Sequence, residues 1–106
     1  MKTEFYITTG AGDFLLHHAV TGKVETIKGI PFGFHKTKEK KWVATHIPSG
    51  LRACEKGSPA YSGFDTFEEC RAALFDALPT LRAHLEEKRV LDATRDLAHY
   101  VALVEG

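Results

Sequence analysis

Six histidines and two cysteines are the residues of this chain with the widest chemical range. Three or four such side chains at short spacings can hold a zinc ion. His17 and His18 are adjacent, however, and adjacent residues of a strand face opposite sides of a sheet. No H-x-x-x-H or C-x-x-C spacing occurs. We therefore predict no metal site and no cofactor. The other histidines are scattered along the chain: His35, His46, His84 and His99.

A cysteine nucleophile is the second chemical possibility. Cys70 lies just inside the start of a predicted helix, where the helix dipole favours a thiolate. His46 is a candidate base for it, with Asp65 as the orienting carboxylate. Glu69 and the apolar stripe around Cys70 both oppose a reactive thiolate, so we predict a core cysteine and no catalytic residue. A small metal-dependent or Cys/His-dependent enzyme is the third-ranked hypothesis.

Charge divides the chain into two halves of opposite sign. Residues 1–63 carry nine Lys and Arg against five Asp and Glu, a net of +4, and residues 64–106 carry five against nine, a net of −4. Each half therefore suits a different class of partner.

Lysines and one tryptophan cluster around a predicted hairpin in the basic half. Lysines interleaved with aromatic residues on a β-surface can follow phosphates and stack on bases, which makes a nucleic-acid-binding module the alternative function. Lysines also protect solvated turns and edge strands. The candidate binding residues of this half are Lys36, Lys38, Lys40, Lys41, Trp42 and Arg52.

Carboxylates are concentrated on the predicted helices of the acidic half. An acidic face beside a sheet can bind a basic surface on a larger protein. Part of this charge is expected to be matched internally, as between Arg82 and Glu86 at i,i+4. The candidate binding residues of this half are Glu86, Glu87, Asp92 and Asp96.

The first half of the chain reads as strands separated by turns. Alternating apolar residues and β-formers predict strands at 2–9 and 14–20, the second closed by Thr21 and Gly22. A weaker strand at 23–28, a hairpin of 32–36 with 41–47, and a short edge strand at 51–54 follow. Residues 55–64 read as a loop.

The second half reads as helices. Thr66 and Glu69 fit a capping box, which predicts a helix start at Phe67. We expect this helix to end or kink before Pro79, which can start the next one. A last helix extends towards the C-terminus, marked by Leu91, Leu97, Val101 and Val104.

No apolar run approaches the eighteen or so residues that a membrane helix needs. The N-terminal residues lack the basic start and unbroken apolar stretch of a signal peptide. We therefore expect a cytoplasmic protein with no membrane association, in which Cys54 and Cys70 are reduced thiols. Homo-oligomer formation stays open.

Two segments resemble a pattern of small uncharacterised phage and mobile-element proteins. Residues 42–51 read W-V-A-T-H-I-P-S-G-L, and residues 64–71 read F-D-T-F-E-E-C-R. In that group, a strand W-x-V/A-T-H-x-x-S-G precedes a helix that opens F-x-T-x-E-E-A, so Cys70 departs from the pattern. The resemblance implies an accessory protein that binds host or defence machinery, a setting that includes anti-CRISPR inhibitors.

These observations predict a single α+β domain over residues 1–106. An antiparallel sheet of four or five strands (residues 2–54) is packed on one face by two or three C-terminal helices (66–104). The predicted function is that of a small non-catalytic binding protein, an accessory inhibitor or modulator that acts by protein–protein interaction.

Overall fold

The computed structural model describes residues 2–11, 14–53 and 62–105. An antiparallel sheet in the order β1-β2-β3-β4 precedes two helices, α1 and α2. This confirms the predicted α+β fold, with four strands and two C-terminal helices in the described residues. The strands are β1 (Thr3–Ala11), β2 (Phe14–Ile27), β3 (Ile30–Lys36) and β4 (Trp42–His46), and the helices are α1 (Phe67–His84) and α2 (Lys88–Glu105).

The prediction that Thr21 and Gly22 close the second strand was wrong. β2 continues through both residues, pairing with β1 over residues 14–22 and with β3 over residues 23–27. Gly22 is needed for close approach, because a Cβ built there would lie 1.9 Å from the carbonyl oxygen of Phe34. The glycine therefore marks a point where backbones meet inside the sheet, a second use of glycine in strands.

The hairpin between β2 and β3 is tight. Lys28 and Gly29 adopt positive φ angles of 51° and 83°, as a two-residue hairpin turn requires, so β3 begins at Ile30. The predicted hairpin of 32–36 with 41–47 is confirmed as β3 and β4. The predicted edge strand at 51–54 is reduced to one isolated bridge between Thr45 and Arg52. Cys54 and most of the predicted loop at 55–64 lie outside the described residues.

Helix α1 begins where the capping box predicted. Thr66 is the N-cap, and its hydroxyl accepts a hydrogen bond from the Glu69 amide at 3.1 Å. The prediction was an end or a kink before Pro79. An end there was wrong, because α1 continues to His84, and a kink stays a prediction. Pro79 has no N–H, so the carbonyl of Phe75 loses its hydrogen-bond donor within the helix. Both residues are on the exposed side of α1, where water can bind that carbonyl.

Apolar contacts hold α1 on the sheet. Cys70, Leu74 and Leu78 are the buried residues of the helix, and they recur at helical spacing. They share one core with the side chains of β3 and β4 on the facing side of the sheet. The sheet side of this core contains Ile27, Ile30, Phe32, Phe34, Ala44 and Ala53.

The sheet curls until its first strand meets the segment that follows its last. The Thr8 amide donates to the Gly50 carbonyl at 2.7 Å, which joins β1 to the turn after β4. On the face turned away from α1, the Phe5 ring lies directly over Gly33, where a Cβ would be 2.5 Å from it. Curling therefore buries both faces of β3, since His35 is buried as well.

Helix α2 packs near β2, and its buried residues are Val90, Ala93 and Leu97. Leu91 and Val104, which helped to predict the helix, are each 53% exposed, so the buried stripe is rotated from the expected one. Within the described residues, neither helix has the length and apolarity needed to cross a membrane.

Candidate binding surface

The histidines do not assemble into a metal site in the part of the chain that the structure describes, where no group of three potential ligands occurs. His17 and His18 face opposite sides of the sheet, as their adjacency predicted. His17 turns towards α2, where its Nε2 lies 2.7 Å from a carboxylate oxygen of Asp96. His18 is exposed.

Thr8, His17 and Asp96 form a chain of hydroxyl, imidazole and carboxylate. Thr8 Oγ1 lies 2.9 Å from His17 Nδ1 and donates to the Ser49 carbonyl at 2.9 Å. This order resembles a nucleophile–base–acid relay. However, Thr8 is only 7% exposed, so a substrate has no access to its hydroxyl. The chain instead ties together β1, β2, the turn after β4 and α2.

The hypothetical Cys70–His46–Asp65 arrangement does not form. Cys70 is buried in the core under α1. His46 Nδ1 lies 2.8 Å from the Ser49 hydroxyl, and Asp65 pairs with Lys41. Burial lowers the pKa of His46, so its neutral form is favoured. The three groups therefore have separate structural partners.

The pocket beside Cys70 is too small for a substrate. Its volume is about 30 Å³, and apolar side chains from β4 and α1 dominate its lining. A cavity of this size holds roughly one water molecule. Its lining includes Ala44, Ala53, Phe64, Cys70 and Leu74.

Lysines and aromatic rings meet at one end of the β3–β4 hairpin. Register places Lys36 directly opposite Trp42, and the Lys36 ammonium lies 5.9 Å from the centre of the indole. Lys23 reaches the same place from β2, 4.1 Å from the Phe67 ring and 5.8 Å from Trp42. Both distances are within the range of cation–π attraction. The rings of Trp42 and Phe67 contact each other edge-to-face at 5.5 Å.

The hairpin tip extends this group of cations. Lys38 and Lys40 are exposed in the turn, whereas Lys41 forms an ion pair with Asp65. We define the lysine patch as Lys23, Lys36, Lys38 and Lys40 with the half-buried rings of Trp42 and Phe67. In the sequence, Lys23 is only one of the nine Lys and Arg residues of the basic half. Strand register is what brings it to Trp42, and local patterns do not reveal that register.

Arg52 lies apart from the lysine patch. It pairs with Thr45, whose side chain is on the opposite face of β4 from that of Trp42. Burial is the larger cause of the lowered pKa of His35, and the positive charge of Arg52 lowers that pKa further. Arg52 is therefore associated with the face of the sheet turned away from α1 rather than with the hairpin lysines.

The acidic candidates on α2 and the preceding turn are mostly paired within the molecule. Glu87 contacts His84, which lowers the pKa of Glu87. Asp92 contacts Lys88 at 2.6 Å and Arg95 at 3.2 Å, and Asp96 contacts His17.

The expected pairing of Arg82 with Glu86 was wrong. The Arg82 guanidinium donates to the Lys28 carbonyl at 2.6 Å, which anchors the end of α1 to the β2–β3 turn.

Comparison with known proteins places this chain beside none of them. No family model matches the sequence. No curated protein matches it, and no solved structure matches the fold.

Proposed function

We propose that this protein is a non-catalytic binding protein that recognises an acidic surface on a protein partner through the lysine patch. The observation that carries this proposal is the unequal pairing of charge. In the described residues, Lys23, Lys36, Lys38 and Lys40 contact no carboxylate, whereas three of the four acidic candidates contact a histidine, lysine or arginine side chain.

The geometry of the patch supports this use. Lys36 is held over Trp42 by cross-strand register, and Lys23 is held over Phe67. Their positions are therefore partly set before binding, which reduces the entropy lost when a partner binds. Lys38 and Lys40 extend from the tip into solvent, where their charge can steer a partner of opposite sign.

The state of the aromatic rings favours a protein over a nucleic acid. Stacking on a base requires an open ring face. Trp42 and Phe67 are only half-exposed and carry lysine ammonium groups over their rings. The four lysines of the patch can nonetheless bind phosphate groups, so nucleic-acid binding is the second candidate function.

The resemblance at residues 42–51 and 64–71 supports a setting for the proposal. We propose an accessory inhibitor or modulator from a phage or mobile element, which binds a cytoplasmic target. Those residues contribute Trp42 and Phe67 to the lysine patch, so the segments that carry the resemblance also build the proposed contact surface.

An affinity pull-down from the source cell, with and without nuclease, tests the proposal. We expect a stoichiometric protein partner that nuclease does not release. The Lys38→Glu variant should lose that partner, whereas Lys28→Glu retains it because Lys28 is in the β2–β3 turn, outside the patch. Equal capture by both variants would contradict the use of the patch.

A salt titration separates the two candidate functions. If generic DNA or RNA binds tightly at physiological salt, nucleic-acid binding replaces the first candidate. Replacing Lys36, Lys38 and Lys40 by Gln should then flatten the slope of log K against log salt by about three contacts' worth.

A further inference from the structure

The first half of β2 has an edge that no strand covers in the part of the chain that the structure describes. β2 pairs with β1 over residues 14–22, but β3 pairs with it only over residues 23–27. The two strands part next to Gly22, which lies against the Phe34 carbonyl. On the side away from β1, residues 15–21 border no other strand among the residues that the structure describes. We call this segment the open edge.

The backbone groups of the open edge point outward in a regular order. The Thr8 amide bonds to Gly50, so Thr8 and its directly opposed neighbour His17 form a pair without hydrogen bonds between them. The alternation of an antiparallel ladder then directs the backbone groups of Leu15, His17, Ala19 and Thr21 away from β1. Such a row of unpaired groups is a template for another strand.

Helix α2 leaves the open edge accessible. The helix packs on one face of the hairpin, where the Tyr100 ring lies 5.7 Å from that of Tyr6 and 5.0 Å from that of His17. The backbone hydrogen bonds of a strand lie in the plane of the sheet, so a helix on its face does not occupy them. On β2, Ala19 is exposed and Leu16 is 51% exposed.

The geometry points to a second copy of this chain as the occupant of the open edge. An extended strand without charge suits the open edge, because residues 15–21 contain no Lys, Arg, Asp, Glu or Pro. Natural edge strands use such residues to prevent pairing, and their absence here leaves the segment free to pair with itself. Two-fold symmetry is the usual arrangement for such a contact.

The register follows from the limits of the open edge. A two-fold axis at His18 sets His17 opposite Ala19 of the second copy and Leu15 opposite Thr21 of the second copy. All the outward backbone groups then meet partners. The same register sets Leu16 opposite Val20 of the second copy, on the face away from α2, so that the exposed leucine gains an apolar neighbour.

Cysteine cross-linking tests the register. The two copies of His18 form a close pair without hydrogen bonds, with Cα atoms about 4.5 Å apart, a separation that a disulfide can span. His18→Cys should therefore give a covalent dimer under mild oxidation, well above the level of the parent chain. Ala19→Cys is the matched control, because this exposed neighbour faces His17 of the second copy rather than itself. Equal cross-linking of both variants would overturn the register.

Analytical ultracentrifugation tests the dimer itself. The parent chain should approach twice the monomer mass as its concentration rises. Ala19→Pro should abolish this rise, because it removes an outward N–H and leaves the β1–β2 ladder intact. Leu16→Lys is a second variant with the same expected loss, should Ala19→Pro fold poorly. Lys38→Glu should dimerise normally, which separates this inference from the proposed function.

Two results would overturn the proposal. One is a parent chain that stays monomeric to its solubility limit, and the other is an unchanged dimer in a folded Ala19→Pro or Leu16→Lys variant.

Discussion

Helices α1 and α2 are each eighteen residues long, yet they are attached to the sheet by different forces. α1 buries Cys70, Leu74 and Leu78 in the main apolar core. α2 also has a buried stripe, but its links to β2 include the His17–Asp96 hydrogen bond and the tilted ring contact between Tyr100 and His17. Burial of apolar side chains contributes a large free energy that does not depend on precise orientation. A hydrogen bond contributes less and requires a well-defined distance and angle. We therefore expect α1 to be the stable helix and α2 the one that opens first.

The largest loss of stability should come from truncating an apolar side chain in the core under α1. Leu74 is 3% exposed and already borders a small cavity. Leu74→Ala should lower the free energy of unfolding by about 2–5 kcal/mol, because the lost transfer energy adds to that of a larger cavity. Chemical denaturation measures this loss. Leu91→Ala, at a position 53% exposed, is the control and should change stability by less than about 0.5 kcal/mol.

Acid should destabilise the sheet side of the same region. Burial lowers the pKa of His35 and of His46 below the usual value of 6.5, so the unfolded chain binds protons at these sites before the folded chain does. Stability is then fully present above pH 6.5 and is lost as pH falls through the lowered values. Urea titrations at pH 7.5, 6.5 and 5.5 should show the decline.

His35→Phe sharpens this test. Nδ1 of His35 is buried and has no hydrogen-bond partner among the described residues. The imidazole already packs on the Phe5 ring with centres 5.9 Å apart, so a phenyl ring suits the site. The variant should depend less on pH than the parent. His99→Gln, on the exposed side of α2, controls for the general loss of an imidazole. A steeper pH dependence in His35→Phe than in the parent would contradict the assignment.

The polar attachment of α2 should give a smaller and more local effect. Asp96→Ala removes the acceptor of the His17 Nε2 bond and should cost about 1 kcal/mol, since the Asp96 side chain is 52% exposed. Hydrogen exchange should quicken in α2 and stay unchanged in α1. Asp92→Ala is the matched control, because its partners Lys88 and Arg95 lie on α2 itself. Faster exchange in both helices would mean that the two attachments are not independent.

The smallest effect should come from the first turn of α1. Thr66→Ala removes the N-cap acceptor of the Glu69 amide and should cost about 1 kcal/mol or less. The shift of the denaturation midpoint measures it. Thr80→Ala, an exposed threonine in the body of α1, tests whether the loss belongs to the cap. No difference between the two variants would remove the capping role.

The strands and the helix start were predictable because their signals are local. The alternation in residues 3–9 lies within β1, and the capping box spans only Thr66 to Glu69. The errors occurred where a local signal has two structural uses. Gly22 was read as a turn but serves a close approach to Phe34, and Pro79 was read as a helix end but lies on a solvated side of α1.

The candidate surfaces were predictable only as sets of residues. Equal and opposite charges of the two halves made the hairpin lysines and the helix carboxylates equally good candidates. In the folded protein the two sets differ in how many of their charges are paired. Asp96 contacts His17 of β2, and Asp92 contacts Lys88 within α2. Arg52, which the sequence grouped with the lysines, lies on the opposite face of the sheet from Trp42.

The sequence by itself determined the order of the elements, the divergence of His17 and His18 and the cap at Thr66, since each depends on residues a few positions apart. Only the tertiary structure decided that Lys23 reaches Phe67 and that Thr8 reaches Gly50. It also decided that, among the described residues, the first half of β2 pairs with a strand on one side only. These features depend on strand register and on the curl of the sheet. Both arise from contacts between residues far apart in the chain, whose energies no local pattern records.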